Sequence, residues 1–177
     1  IGASAFSGCS GLTSVSIPNS VTNIGDLAFN GCSGLSEPVY NAHCFAYLPC
    51  GYATEYVIPD GIQQIAGGAF GWCGSLSSIV IPNSVTSIGR AAFTATGWYN
   101  SQPDGILYLD GWCVGHKGNA PEGPLNIAEG TRGIADYAFY ECSGLTSVTI
   151  PNSVTSIGSY AFYYCTGLAA IDIPSSV

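Results

Sequence analysis

LTSVSIPNSVTNIGDLAF, residues Leu12 to Phe29, is one turn of a chain that repeats itself. Leu12, Val15 and Ile17 set an L-x-x-V-x-I pattern in which Val15 and Ile17 share parity, as core-facing residues of a strand must. β-Branched side chains favour that strand. Pro18 has no N–H to give to a ladder, so the strand should end there, and Pro18-Asn19-Ser20 reads as a turn. Val21 to Ile24 is a second short apolar segment, and Gly25 permits the next bend. Asp26 to Cys32 reads as one helical or 3₁₀ turn with Ala28 and Phe29 directed inward.

The pattern recurs along the chain. Ala-Phe stands at Ala5-Phe6, Ala28-Phe29, Ala69-Phe70, Ala92-Phe93, Ala138-Phe139 and Ala161-Phe162, at steps of 23, 41, 23, 46 and 23 residues. Two steps of 23 make 46, so one unit between Phe93 and Phe139 lacks the motif. The step of 41 divides into a normal unit and a short one of 18, with Cys44-Phe45 at the Ala-Phe position. Ile-Pro recurs in the same phase at Ile17, Ile58, Ile81, Ile150 and Ile173. No single unit can bury its apolar face alone, and stacking joins the faces into one continuous core. The expected fold is a solenoid whose six motif phenylalanines share an interior row and whose L-x-x-V-x-I strands align in parallel.

Composition narrows the function. Charged residues are 8% of the 177, against about 25% in ordinary soluble domains. The only cations are Arg90, Lys117 and Arg132, and net charge is −8. Nucleic-acid binding needs basic residues that displace phosphate counterions, so it is excluded, and docking on an anionic membrane fails for the same reason. No apolar run approaches the roughly 20 residues of a spanning helix, so no direct membrane insertion is expected. There is no Met and no charged-then-apolar leader. Ile1-Gly2 stands in the phase of Ile24-Gly25, and Val177 in that of Val154. The expectation is a piece of a longer protein continuing on both sides, with its targeting signals elsewhere.

Reduced to a consensus, the units read IPNSVTSIGxxAFxxCxGL. This resembles the BspA-like leucine-rich repeats found in surface proteins of gut and oral bacteria and of some parasitic protists. The match is close in five units and looser in two irregular ones, 36–58 and 94–126. The resemblance implies one right-handed leucine-rich-repeat solenoid over 1–177, in units of about 23 residues. A parallel β-sheet would line one face, with short strands and 3₁₀ turns on the other. It further implies a secreted or cell-surface protein that binds host matrix proteins, host cells or other microbial surfaces, and not an enzyme. Where an Asn ladder would stand in the familiar consensus, this chain has Ser20, Ser84 and Ser153.

Five of the eight cysteines follow the motif Phe by three residues: Cys9, Cys32, Cys73, Cys142 and Cys165. Thr96 takes the same place after Phe93. A ladder of buried free thiols is the leading expectation, because free Cys is among the most buried residues. Disulfides between adjacent coils are the alternative, permitted by coil spacing. Cys44 with Cys50 is the expected exception to the ladder. Zinc spacing is absent, and so are calcium loops, Walker loops and nucleophile elbows, so no cofactor, metal or catalytic residue is assigned. Asp104 and Asp110 near His116 mark the one segment to examine for acid–base chemistry, against the simpler reading of a solvated loop.

Binding residues are sought on the surface. Outward-facing strand positions include Ser14, Ser16, Ser78, Val80, Ser147 and Thr149. The irregular units add Trp98, Tyr99, Tyr108 and Trp112, and such rings are enriched at binding hot spots. The competing reading is that these rings fill gaps where the repeat loses register. A structural spacer that holds another domain off the cell surface is the rival function. A polysaccharide-acting enzyme with close carboxylates, among them Asp104, Asp110 or Glu122, comes third.

Overall fold

A computed structural model describes every residue, Ile1 to Val177, and its contacts divide the chain into two compact units, Ile1–Ser101 and Gln102–Val177. Unit 1 holds β1 (Val39–Tyr40), β2 (Cys44–Tyr47), β3 (Glu55–Val57), β4 (Gln64–Ile65), β5 (Ser78–Val80), β6 (Ser87–Ile88) and α1 (Gly97–Ser101). Unit 2 holds β7 (Gly105–Leu109), β8 (Trp112–Lys117), β9 (Gly123–Asn126), β10 (Gly133–Ile134), β11 (Leu145–Thr149) and β12 (Ser156–Ile157). Each unit is a parallel β-solenoid with turns in place of long helices.

Both apolar segments of the repeat build parallel ladders. The L-x-x-V-x-I segment gives the pair β3–β5 in unit 1 and β9–β11 in unit 2. The shorter V-T-x-I segment, which reads as the minor one, makes the longer ladders β2–β4–β6 and β8–β10–β12. Residues 12–17 take no regular strand. The glycine after the second segment is what lets its coils close up. A Cβ built on Gly89 would stand only 2.3 Å from the Gly67 nitrogen, and one on Gly158 only 2.4 Å from the Asp136 nitrogen. Both obstacles are backbone and cannot swing aside. Gly89→Ala should therefore cost about 1–3 kcal/mol by overpacking, measured as a lower urea midpoint. An unchanged midpoint would show that the coils are not in contact there.

The Asp26–Cys32 turn has the bonding of a 3₁₀ turn but does not run on as a helix. Asn30 N–H donates to the Leu27 carbonyl at 3.1 Å and Cys32 N–H to that of Phe29 at 3.2 Å. Leu27 (φ 57°) and Gly31 (φ 74°) are left-handed and interrupt it. The same two places are occupied by Tyr137 and Glu141, and by Tyr160 and Tyr164, with φ between 56° and 60°. A non-glycine residue held so costs on the order of 1–2 kcal/mol, which coil stacking must offset. Between the two left-handed residues the Ala-Phe pair turns inward.

Adjacent coils are joined at this point by Phe6 N–H to Ala28 (2.8 Å), Phe70 N–H to Ala92 (2.9 Å) and Phe139 N–H to Ala161 (2.8 Å). The rings stack in step: Phe6–Phe29 at 5.1 Å and Phe70–Phe93 at 5.5 Å in unit 1, and Phe139–Phe162 at 5.3 Å in unit 2. Phe29, Phe70, Phe93 and Phe139 are buried, whereas Phe6 is exposed on its outer side and Phe162 is half-buried.

One phase assignment needs correction. Cys44-Phe45 does not stand at the Ala-Phe position: Phe45 pairs with Ile65 in the β2–β4 ladder, at the isoleucine place of the coil. Leu48 takes the phenylalanine place, its N–H donating to the Ala69 carbonyl at 2.8 Å as the motif Phe residues do. The cause is a hairpin. β1 and β2 are antiparallel, so the chain doubles back before it rejoins the coil path. The second irregular unit does the same with β7 and β8. That hairpin closes through Asp110 (φ 45°) and Gly111 (φ 78°), the two left-handed residues of a primed turn that matches strand twist. The Asp-Gly pair is a legible hairpin signal.

The unit without Ala-Phe has Gly115-His116 in that phase, 23 residues before Ala138-Phe139. His116 Nε2 lies 3.6 Å from Cys142 Sγ, and its Nδ1 is buried with no hydrogen-bond partner in the protein. Burial holds the imidazole pKa below its ordinary value. The folded chain therefore favours neutral His116, while the unfolded chain takes up a proton near pH 6.5. Stability should fall as pH drops below about 6.5 and level off once the folded imidazole is protonated too. His116→Phe, which restores the motif ring, should narrow the difference between urea midpoints at pH 7.5 and 5.5. An equal difference in both proteins would remove His116 as its source.

The thiol ladder holds in part. Cys32, Cys142 and Cys165 are free and buried, but Cys9 is exposed and Cys73 forms a disulfide with Cys50 across a Cα separation of 4.5 Å. The expected Cys44–Cys50 pairing is wrong: Cys44 is free and buried in β2. Thr96 is buried for a separate reason. It caps α1, its Oγ1 accepting from Tyr99 N–H at 3.0 Å and donating to the Phe93 carbonyl at 2.8 Å.

Candidate interaction surfaces

The strand residues chosen for their outward parity divide by exposure. Ser14, Ser16, Ser147 and Thr149 are exposed, Val80 is exposed, and Ser78 is half-buried. On β3 and β5 the register sets Val57 beside Val80, so unit 1 shows two adjacent open valines between polar neighbours. On β11, Ser147 and Thr149 lie beside Pro124 and Asn126 of β9, a strip of small side chains with no charge.

The four rings of the irregular units do not form one site. Trp98 and Tyr99 sit on α1 and are half-buried, Trp98 with its ring 6.3 Å from Phe93 in an edge-on contact. Tyr108 is half-buried; its hydroxyl accepts from Ala128 N–H at 3.0 Å, and desolvation raises its pKa. Trp112 is a correction. At 1% exposure it is a core residue and cannot meet a partner. A Cβ on Gly133 would lie 2.4 Å from its ring, which occupies the space that glycine leaves, and the Arg132 guanidinium stands 5.8 Å from the ring centroid. Gap filling after the hairpin explains this tryptophan.

The acid–base segment is not assembled. Asp104 and Asp110 are exposed, while His116 faces Cys142. Desolvation raises the Cys142 thiol to about 11 and lowers the imidazole pKa, so near pH 7 the pair is neutral thiol and neutral imidazole. A nucleophilic cysteine needs the opposite shifts.

Sequence reasoning missed the tyrosines of unit 2. Tyr137 and Tyr140 flank Phe139, and Tyr160, Tyr163 and Tyr164 flank Phe162. Tyr137 stacks on Tyr160 at 4.9 Å and Tyr140 on Tyr163 at 5.6 Å. The doubled Y-A-F-Y was the available signal, since inward Ala-Phe forces its neighbours outward.

The repeat description "BspA type leucine rich repeat region" matches in six copies over residues 39–101 and 124–177, well over half of the chain. The chain belongs to this family of leucine-rich repeat proteins. Solved structures with a similar fold include a leucine-rich repeat protein of T. pallidum, at 23% identity and TM-score 0.36, covering 76% of this chain and 54% of that one. A leucine-rich cell surface protein of Faecalibacterium prausnitzii is 27% identical with TM-score 0.34, covering 98% and 51%. The pneumococcal vaccine antigen PcpA is 16% identical with TM-score 0.42, covering 90% and 50%. This chain thus spans about half the length of these proteins. Comparison with curated proteins gives no match. No helix is long and apolar enough to cross a membrane.

Proposed function

We propose that this chain is a protein-binding segment of a secreted or cell-surface protein, acting by adhesion rather than catalysis. The observation that carries the reading is the open ladder faces: β9–β11 turns small, uncharged residues outward, and β3–β5 sets Val57 and Val80 side by side, with Glu55 the one charged residue on that face. A flat face of this kind desolvates at little cost and suits an extended partner. The family and the name of the Faecalibacterium relative support a surface location. On unit 1 the contact residues would be Ser14, Ser16, Ser78 and Val80 with Trp98 and Tyr99, and on unit 2 they would be Ser147 and Thr149 with Tyr108. The partners would be host matrix proteins, host cells or other microbial surfaces.

The test is a binding screen of the chain against matrix proteins, epithelial cells and a glycan panel. Saturable binding to a protein or cell surface, weakened by Val80→Asp, supports adhesion. Binding to none of them leaves a spacer as the role. Saturable turnover of a polysaccharide would reverse the reading.

A further inference from the structure

We infer that the exposed tyrosine cluster of unit 2 receives the cationic side chains of an arginine- or lysine-bearing peptide segment. This rests on the protein-binding reading and names its partner chemistry.

Four of the rings form a grid. Tyr137 over Tyr160 and Tyr140 over Tyr163 are the columns, and within the coils Tyr137 and Tyr140 are 5.2 Å apart, Tyr160 and Tyr163 5.3 Å. Tyr160 and Tyr164 stand nearly perpendicular to Tyr163, at 82° and 89°, the latter at 4.5 Å. Perpendicular rings present a face beside an edge, forming walls against which a cation can sit. Tyr160, Tyr163 and Tyr164 are 53%, 44% and 59% exposed.

The fold does not require these rings. Tyr137, Tyr160 and Tyr164 are left-handed, at places that other coils fill with glycine (Gly68, Gly8 and Gly31) or with Ser4, Leu27, Ala91, Trp72 and Ala95, so the coil fixes the backbone there and leaves the side chain free to vary. Bulky aromatics are thus held at positions where glycine is the relaxed choice, and they point to solvent.

Charge selects the occupant. No Lys or Arg occurs after Arg132, while Asp136, Glu141 and Asp172 do. Two of these carboxylates border the grid. The Glu141 carboxylate accepts from the Tyr140 hydroxyl, and the Asp136 carboxylate accepts from Ser159 N–H at 2.6 Å, one residue before Tyr160. Aromatic faces attract a cation through their quadrupole, and arginine stacks on them best. Adjacent carboxylates supply the counter-charge.

The test uses the full chain and a hexa-arginine peptide, followed by calorimetry, with a neutral Gly-Ser peptide and a neutral hexasaccharide as alternative occupants. Tyr160→Gly with Tyr164→Gly removes two rings while relieving the left-handed strain, so the variant should be at least as stable as the parent in urea. It should bind hexa-arginine about tenfold more weakly, the order expected for losing cation–π contacts. Tyr163→Phe should bind as the parent does, because the ring face is kept. Glu55→Gln with Asp60→Gln, in unit 1, should change little. Equal binding by the glycine variant, or loss of binding in the unit 1 variant, would mean nonspecific attraction to an acidic protein and would overturn the inference. So would preference for the neutral sugar. If the chain binds a matrix protein or cell through Val80 but ignores hexa-arginine, this inference fails and the adhesive reading stands.

Discussion

Phe139→Ala should lower the unfolding free energy by about 3–5 kcal/mol, the usual loss on emptying a packed phenylalanine site. Phe139 is fully buried among Cys113, Ile134, Cys142, Leu145 and Val154, with Phe162 stacked on it at 5.3 Å. Its removal takes away both the transfer free energy and the contacts of the ring stack. Collapse around the hole is resisted, because the backbone on either side is hydrogen-bonded coil to coil, as in Phe139 N–H to Ala161. Phe162→Ala should lose less, since Phe162 is only half-buried. Urea denaturation of the three proteins checks the order. A loss below about 1 kcal/mol at Phe139 would mean that this ring is not core.

Breaking the Cys50–Cys73 bond should cost about 3 kcal/mol. The bond closes a loop of 23 residues, and restricting an unfolded loop of that size accounts for roughly this much. The loop contains strands β3 and β4 and begins two residues after Leu48, so the bond ties the chain just past the irregular turn to the next coil. Cys50→Ser and Cys73→Ser should each show the full loss, and the double variant no more than either, because one bond is removed in every case. Mass spectrometry gives an independent reading: six thiols should be alkylated after unfolding without reductant, and all eight after reduction. Eight thiols alkylated without reduction would refute the pairing.

Much of the fold was legible because a solenoid writes its coils in the sequence. Each coil must present an apolar side to the next, so Ala-Phe and Ile-Pro return every 23 residues at positions such as Phe70 and Phe93. The two irregular units were placed by the loss of that period, and the outward parity of Ser147 and Thr149 followed from β11 being a strand. The hidden features depended on phase. A hairpin inserted at β1–β2 moved Phe45 onto the isoleucine place and brought Leu48 into the phenylalanine place. The hairpin β7–β8 turned Trp112 from a candidate contact into core. Neither shift is a property of local composition.

The candidate surface divides in the same way. Eight tyrosine and tryptophan residues of the two irregular units look alike in the sequence, yet Trp112 is buried, Tyr108 is tied to Ala128, and the most open ring cluster lies outside those units, at Tyr160, Tyr163 and Tyr164. The sign of φ decides this. Left-handed residues before and after Ala-Phe turn the chain so that Phe162 enters the core and its tyrosine neighbours leave it.

By itself the order of amino acids determined the period and the inward residues of each regular coil, since these follow from spacing alone. Tertiary structure decided which apolar segment makes the longer ladder, which cysteines pair, and which aromatic rings meet solvent. Those outcomes depend on how closely neighbouring coils approach and on backbone handedness at single residues, and both are settled only when the coils are stacked.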